Sequence, residues 1–171
     1  MLQVYDKAEY EAPESIRFLK RETAIPSNMP KEEELPEAGY IVKLHREGRD
    51  AELPYKEMEL TTKVAEALRM LRLEHGPENF SMPLTALAVG KAAFFGIPGE
   101  PFNAVGRGLK KAEGWKVIMP TINTNAKEGY FPMMDSYAEG GYEARSSRYG
   151  AGAAERIIEK GVEMLDEIRI K

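Results

Sequence analysis

Apolar residues recur along this chain with two different periods, and the change between them divides it. From Tyr55 to His75, Leu60, Val64, Ala67, Leu68 and Leu71 fall at i, i+4, i+7, i+8 and i+11, one face of a long amphipathic helix. Gly76-Pro77 stops it, as a C-cap glycine followed by proline does. A second helix is predicted over about Leu35 to Arg46, with Pro36 in its first turn. Earlier still, Pro13 and Glu14 suit the first turn of a short helix running through Ile16, Phe18 and Leu19. Between these two, Ile25-Pro-Ser-Asn-Met-Pro30 cannot continue a helix and reads as an extended connection.

The pattern then shortens. Pro83-Leu-Thr-Ala-Leu-Ala-Val89 and Ala92-Ala-Phe-Phe-Gly-Ile97 are compact apolar runs separated by Gly90-Lys91, which predicts two largely buried strands joined by a tight turn. Pro101 opens a helix carrying Phe102, Val105, Leu109 and Ala112 that Gly114 closes, and Trp115 to Pro120 is a third strand. Residues 121 to 150 are irregular. A last helix from Ala153 to Ile168 puts Ala154, Ile157, Ile158, Val162, Leu165 and Ile168 on one stripe. The expected fold is α/β, a small mixed sheet covered by amphipathic helices. It forms a single unit over 1–171, with a helical, proline-punctuated segment over 1–78 and a strand-bearing one over 79–171.

Composition narrows the class. Hydrophobic residues at 43% supply a core for one domain of 171 residues, while 30% charged residues and a mean hydropathy of −0.45 indicate a wetted surface. A net charge of −4 argues against a nucleic-acid backbone binder. No apolar run approaches the roughly 20 residues of a membrane span, and Met1 to Lys7 does not begin a signal peptide. Zero Cys excludes disulfides and thiolate chemistry, and only two His exclude a self-contained three-His zinc site.

Two stretches carry candidate chemistry. The irregular 121–150 segment holds Tyr130, Phe131, Met133, Met134, Tyr137, Tyr142 and Tyr149, too apolar for disorder, and a loop of that length is commonly functional. Its rings could equally fill gaps in the core. The second stretch, Gly96-Ile-Pro-Gly-Glu100-Pro-Phe102, delivers one carboxylate where a strand ends and a helix begins. That is where α/β proteins place binding groups, and also where a glutamate meets the helix dipole.

Taken together, Gly96-Ile-Pro-Gly-Glu100-Pro-Phe-Asn-Ala-Val-Gly-Arg-Gly-Leu-Lys-Lys111 and Tyr130-Phe-Pro-Met-Met-Asp-Ser-Tyr137-Ala-Glu-Gly-Gly-Tyr142-Glu143 with its Ser147-Arg-Tyr-Gly150 ending resemble the neutral/alkaline non-lysosomal ceramidase family. The resemblance is best over about residues 83 to 165, and its Gly-Gly-Tyr-Glu form looks closer to bacterial ceramidase-like proteins. It implies the C-terminal part of a larger α/β catalytic domain, and a zinc-dependent amidohydrolase acting on an N-acyl amide or other lipid-like substrate. In that family zinc is held by two His, one Glu and one Tyr, and a zinc-bound water attacks the amide carbonyl. The Glu of Pro-Gly-Glu matches Glu100, the liganding Tyr matches Tyr130, and a tyrosine that hydrogen-bonds near the reacting carbonyl matches Tyr142. Carboxylate and phenolate oxygens suit zinc, which lowers the pKa of bound water to about 7.

The family's two zinc histidines lie upstream of Pro-Gly-Glu, and neither His45 nor His75 matches them. His45 sits in a charged helix end and His75 in a helix's last turn, where an imidazolium suits the dipole. A partner chain carrying the histidines, or self-association over uncovered strand surfaces around Leu84–Val89 and Phe94–Ile97, is therefore expected. The competing class is a non-catalytic binding module that keeps the fold. Gly106-Arg-Gly-Leu-Lys-Lys111 lies within a helix rather than before it and is no phosphate cradle. Glu32 to Glu34 is a solvated helix start, and Ser146-Ser147 has no His beside it to activate a nucleophile. The decisive geometric expectation is that the strand–helix–strand unit returns the chain so that Glu100 and Tyr130 lie within about 8 Å, with Tyr142 in the same cleft.

Overall fold

The computed structural model describes residues 7–10 and 12–169, and its elements follow the two periods of the sequence with one exception. The exception is β1 (Ile16–Pro26), an eleven-residue strand where a short helix from Pro13 was expected. Its register explains the difference. β1 pairs antiparallel with β2 (Asn79–Val89) along its whole length, from Ile16 opposite Val89 to Pro26 opposite Asn79. Its inward positions are Arg17, Leu19, Arg21, Thr23 and Ile25, and the two arginines and the threonine among them hide the apolar alternation of a half-buried strand. Arg17 donates to the Arg169 carbonyl at 3.2 Å, and Arg21 pairs with Glu167 at 2.6 Å. Long arginine stems thus cover a helix where aliphatic side chains would normally lie.

Two helices follow β1, α1 (Leu35–Arg46) and α2 (Glu57–Leu73), close to the ranges their periodicity predicts. They bury Ala38, Ile41, Val42 and Leu44 against Val64, Ala67 and Met70 in a small core of their own. β2 turns through Gly90-Lys91 into β3 (Ala92–Gly96), antiparallel, with Leu87 opposite Phe94. A crossover then returns the chain to β5 (Val117–Thr121), parallel to β3. Sheet order is β1-β2-β3-β5. Within the crossover, β4 (Glu100–Pro101) is a two-residue strand and α3 (Asn103–Leu109) is shorter than the helix expected from Pro101 to Gly114. The 121–150 stretch contains β6 (Tyr130–Phe131) and two short helices, α4 (Met134–Glu139) and α5 (Tyr142–Ser146).

The last helix, α6 (Ala153–Ile168), seats Ala154, Ile157, Met164 and Leu165 on Leu84, Ala86, Ala88 and Phe95 of the sheet. Gly161 lies in the middle of α6, where glycine costs about 1 kcal/mol relative to alanine. A Cβ there would collide with Leu109 and approach the Phe95 ring to 3.0 Å, so close packing of α6 on the sheet requires it.

The opposite sheet face has no helix on it among the described residues. Phe18, Leu87, Phe94 and Met119 form one row across all four strands by register, and Ile16, Val89, Ala92 and Val117 form the next. Ile16 and Phe18 are 68% and 66% exposed, and Val117 is also exposed. Of the stretches expected to be uncovered, Leu84–Val89 and Phe94–Ile97, only alternate positions are: Leu87, Val89 and Phe94 lie on the open face. Leu84, Ala86, Ala88, Phe95 and Ile97 are buried, and the apolar exposure belongs to alternate positions plus β1. No helix among the described residues is long and apolar enough to cross a membrane.

Candidate functional site

The two motif segments meet beyond the carboxyl ends of the parallel pair β3 and β5. After β3, the Ile97 amide donates to the Thr121 carbonyl at 2.9 Å, which continues the pairing past the named strands. The returning loop then wraps around this turn. Thr124 donates its amide to the Ile97 carbonyl at 3.0 Å, and Asn123 donates to the Gly99 carbonyl at 3.0 Å. The Glu100 amide donates to the Gly129 carbonyl at 2.8 Å and that of Phe102 to the Phe131 carbonyl at 3.1 Å. The outcome is a separate parallel ribbon in which Glu100 is the register partner of Tyr130 and Pro101 of Phe131. Gly99 is required here. A Cβ at that position would lie 2.5 Å from the Phe131 ring and 2.6 Å from the Gly129 carbonyl.

Register partners in a parallel pair present their side chains on the same side, so the Glu100 carboxylate and Tyr130 phenol share a face. Both are half-buried. The Tyr130 ring meets Tyr142 edge-on, with centroids 6.1 Å apart and an interplanar angle of 77°. Burial pushes the Tyr130 phenol pKa above its usual value, and the negative charge of Glu100, with that of Glu143 behind it, pushes it further. The phenol stays protonated at neutral pH in a negative field, an environment that favours a cation.

The remaining rings of the segment do structural work. Tyr149 is buried between Phe131, at 4.7 Å, and Phe80, at 5.4 Å. Its carbonyl accepts from the Tyr137 hydroxyl at 2.6 Å, and its own hydroxyl donates to Glu128 at 3.0 Å. Ser147 donates to the Tyr130 carbonyl at 2.8 Å and accepts the Tyr149 amide at 3.1 Å, a positioning role that its sequence context did not disclose. The aromatic segment therefore divides, with Phe131 and Tyr149 in the core and Tyr130 and Tyr142 on a cleft.

That cleft has a volume of about 580 Å³ and lies between the end of α2, the 127–130 loop and α5. Tyr130, Tyr142 and Arg148 line it, together with Arg69 and Arg72 of α2 and Lys127. These basic residues carry no motif. Arg69 and Arg72 share a helix face at i, i+3 spacing, which is the one signal the sequence offered.

Zinc needs at least three protein ligands in a catalytic site. Glu100 and Tyr130 are two oxygen donors of the right kind, but the described residues hold no group of three His, Asp or Glu placed to bind a metal. His45 Nδ1 lies 3.0 Å from Asp50 at the end of α1, and the His75 side chain is 89% exposed beside Glu74. The residues present do not by themselves make a zinc site.

The fold defines a mixed-sheet α/β unit in which Tyr130 lines a cleft and Glu100, its register partner, does not. Its fold is similar to part of a neutral ceramidase structure. The crystal structure of neutral ceramidase from Pseudomonas aeruginosa matches 99% of this chain with a TM-score of 0.57 at 16% identity. A second structure, of a ceramidase complexed with C2, matches 56% of this chain and 16% of its own, with a TM-score of 0.44 at 21% identity. The chain spans 31% of the length of the Pseudomonas protein. The likeness in fold takes in nearly the whole chain, beyond the 83–165 region where the sequence motifs lie. No protein-family model and no curated protein sequence matches it.

Proposed function

We propose that this chain is one portion of a ceramidase-like hydrolase that cleaves an N-acyl amide. In this reading Glu100 and Tyr130 supply two oxygen ligands of a zinc site, and histidines from another segment or a partner chain supply the rest. Tyr142 donates a hydrogen bond to the carbonyl being cleaved. The observation that carries the reading is the pairing of Glu100 with Tyr130, with Tyr142 against the Tyr130 ring. The ceramidase fold supports it, and so does the uncovered row of Phe18, Leu87, Phe94 and Met119, a surface fit to meet the missing portion.

Reconstitution tests it. The chain is combined with a histidine-bearing segment from the same source, and zinc content and fatty-acid release from an N-acyl amide are measured. One zinc per assembly with hydrolysis is expected. Glu100→Gln should lose both, and Tyr142→Phe should keep the metal and lose about 10²–10³-fold in kcat, the usual cost of one oxyanion donor. Hydrolysis unaffected by Glu100→Gln would sink the assignment. A second reading, a non-catalytic module that binds a partner through the open sheet face, is favoured by the exposure of Ile16 and Phe18. Complex formation without zinc or hydrolysis would select it.

A further inference from the structure

The cleft lined by Tyr130 and Tyr142 is basic, in a chain whose net charge is −4. Arg69, Arg72, Lys127 and Arg148 face it against a single carboxylate, Glu128. That carboxylate is already engaged. It forms an ion pair with Arg148 and accepts the Tyr149 hydroxyl at 3.0 Å. Arg72 and Lys127 have no ion-pair partner among the described residues.

Arg69 is the most telling of the four. It is only 8% exposed, yet its partners are neutral. Nε donates to the Arg145 carbonyl at 2.9 Å, and Nη1 donates to the Asn28 carbonyl. The nearest acidic influence is Glu66, and that carboxylate is held by Arg145 at 2.8 Å and Lys63 at 3.1 Å. Burial pushes the Arg69 guanidinium pKa down. A buried guanidinium with no carboxylate against it carries a desolvation cost that an anion in the cleft would offset.

The cleft is also sized and lined for an amphipathic molecule. Its 580 Å³ falls within the roughly 300–1,000 Å³ of small-molecule sites, and Leu68, Leu73 and Phe80 form apolar wall beside the cations. We infer that this cleft selects acyl amides whose amine-derived part carries an anionic oxygen group, a carboxylate or a phosphate, over neutral ones. Guanidinium forks match either group, and the three cations that Glu128 does not engage supply the charge. The inference rests on the acyl-amide reading above and specifies its substrate class.

Binding, with no turnover in the readout, tests it. The full chain is titrated calorimetrically with three monomeric probes of equal acyl length: N-dodecanoylglycine, N-dodecanoylethanolamine and the O-phosphate of the latter. At least one anionic probe should bind about tenfold or more tighter than the neutral one at low salt, with the gap narrowing at high salt. Whichever anion binds tighter identifies the group. The double variant Arg72→Gln/Lys127→Gln leaves the Arg69 backbone bonds intact, and should reduce the preference to within about threefold without weakening the neutral probe. Equal binding of all three probes, no binding of any, or a preference that survives the double variant would overturn the inference. Failure here is separable from failure of the hydrolase reading. Anion-selective binding by a reconstituted assembly that does not hydrolyse the probe sinks only the latter, and hydrolysis indifferent to charge sinks only this one.

Discussion

Glu100 and Tyr130 are register partners in a two-residue parallel ribbon, although a helix, a strand and a long loop separate them in the chain. The ribbon belongs to neither edge of the main sheet. It is held by backbone hydrogen bonds from the 97–102 turn to the 121–131 return, so the carboxylate and the phenol are placed by main chain rather than by side-chain packing.

Two oxygen donors do not retain zinc against dialysis. The isolated chain is expected to hold well under one equivalent after dialysis against metal-free buffer, and Tyr130→Phe should not change that figure. One tightly held zinc per chain, released by Glu100→Gln, would mean that the chain completes a site on its own.

Gly99→Ala forces a methyl group into the Phe131 ring and the Gly129 carbonyl. The expected cost is about 1–3 kcal/mol, with the ribbon displaced. Gly39, a half-buried position inside α1 with nothing within 4 Å of an added Cβ, serves as the opposite case. Gly39→Ala is expected to stabilise by about 0.5–1 kcal/mol. Denaturant unfolding of both variants checks the pair, and two changes of the same sign would contradict the local geometry.

Burial raises the Tyr137 phenol to about 12, against an unfolded value of 10.0. The folded state therefore keeps this proton where the unfolded state releases it. Its contribution to stability is full below pH 10 and is lost as pH rises from 10 toward 12. Tyr137→Phe removes the bond to the Tyr149 carbonyl, costing about 1 kcal/mol at neutral pH, and should make the alkaline loss shallower than in the wild type. Unfolding curves between pH 8 and about 11.5 measure both. An alkaline slope identical in the two proteins would place the titration elsewhere.

The open sheet face should associate. At tens of micromolar the full chain is expected to sediment as more than a monomer, or to bind an apolar dye, and Phe18→Glu should reduce either signal while leaving far-ultraviolet circular dichroism unchanged. A wild-type chain that is strictly monomeric and dye-silent would remove the sheet face as support for a docking partner.

Much of the candidate site could be read from residue order. The Pro-Gly-Glu turn and the tyrosine-spaced segment singled out Glu100, Tyr130 and Tyr142, and the structure gathers all three at one end of the molecule. The basic wall was not legible. Arg69 has the look of a solvent-facing helix residue, and only the packing of α5 and the Asn28 loop against α2 buries it. Ser147 carried no signal either, because its hydrogen bonds reach the Tyr130 backbone from the far end of the segment.

By itself the sequence determined the helices α1, α2 and α6 and the β2–β3 hairpin. Their hydrogen bonds close within a few residues, and the stop signals Gly76-Pro77 and Gly90-Lys91 lie beside the elements they bound. Only the tertiary structure decided β1, the ribbon and the cleft. A strand's hydrogen bonds are made to a distant partner, and β1 becomes a strand because β2, more than fifty residues on, offers a matching edge. Its inward arginines concealed the alternation because their charged ends reach α6, an element at the opposite end of the chain. Glu100 meets Tyr130 for the same reason: the parallel return of β5 beside β3 sets their spacing, which no local pattern encodes.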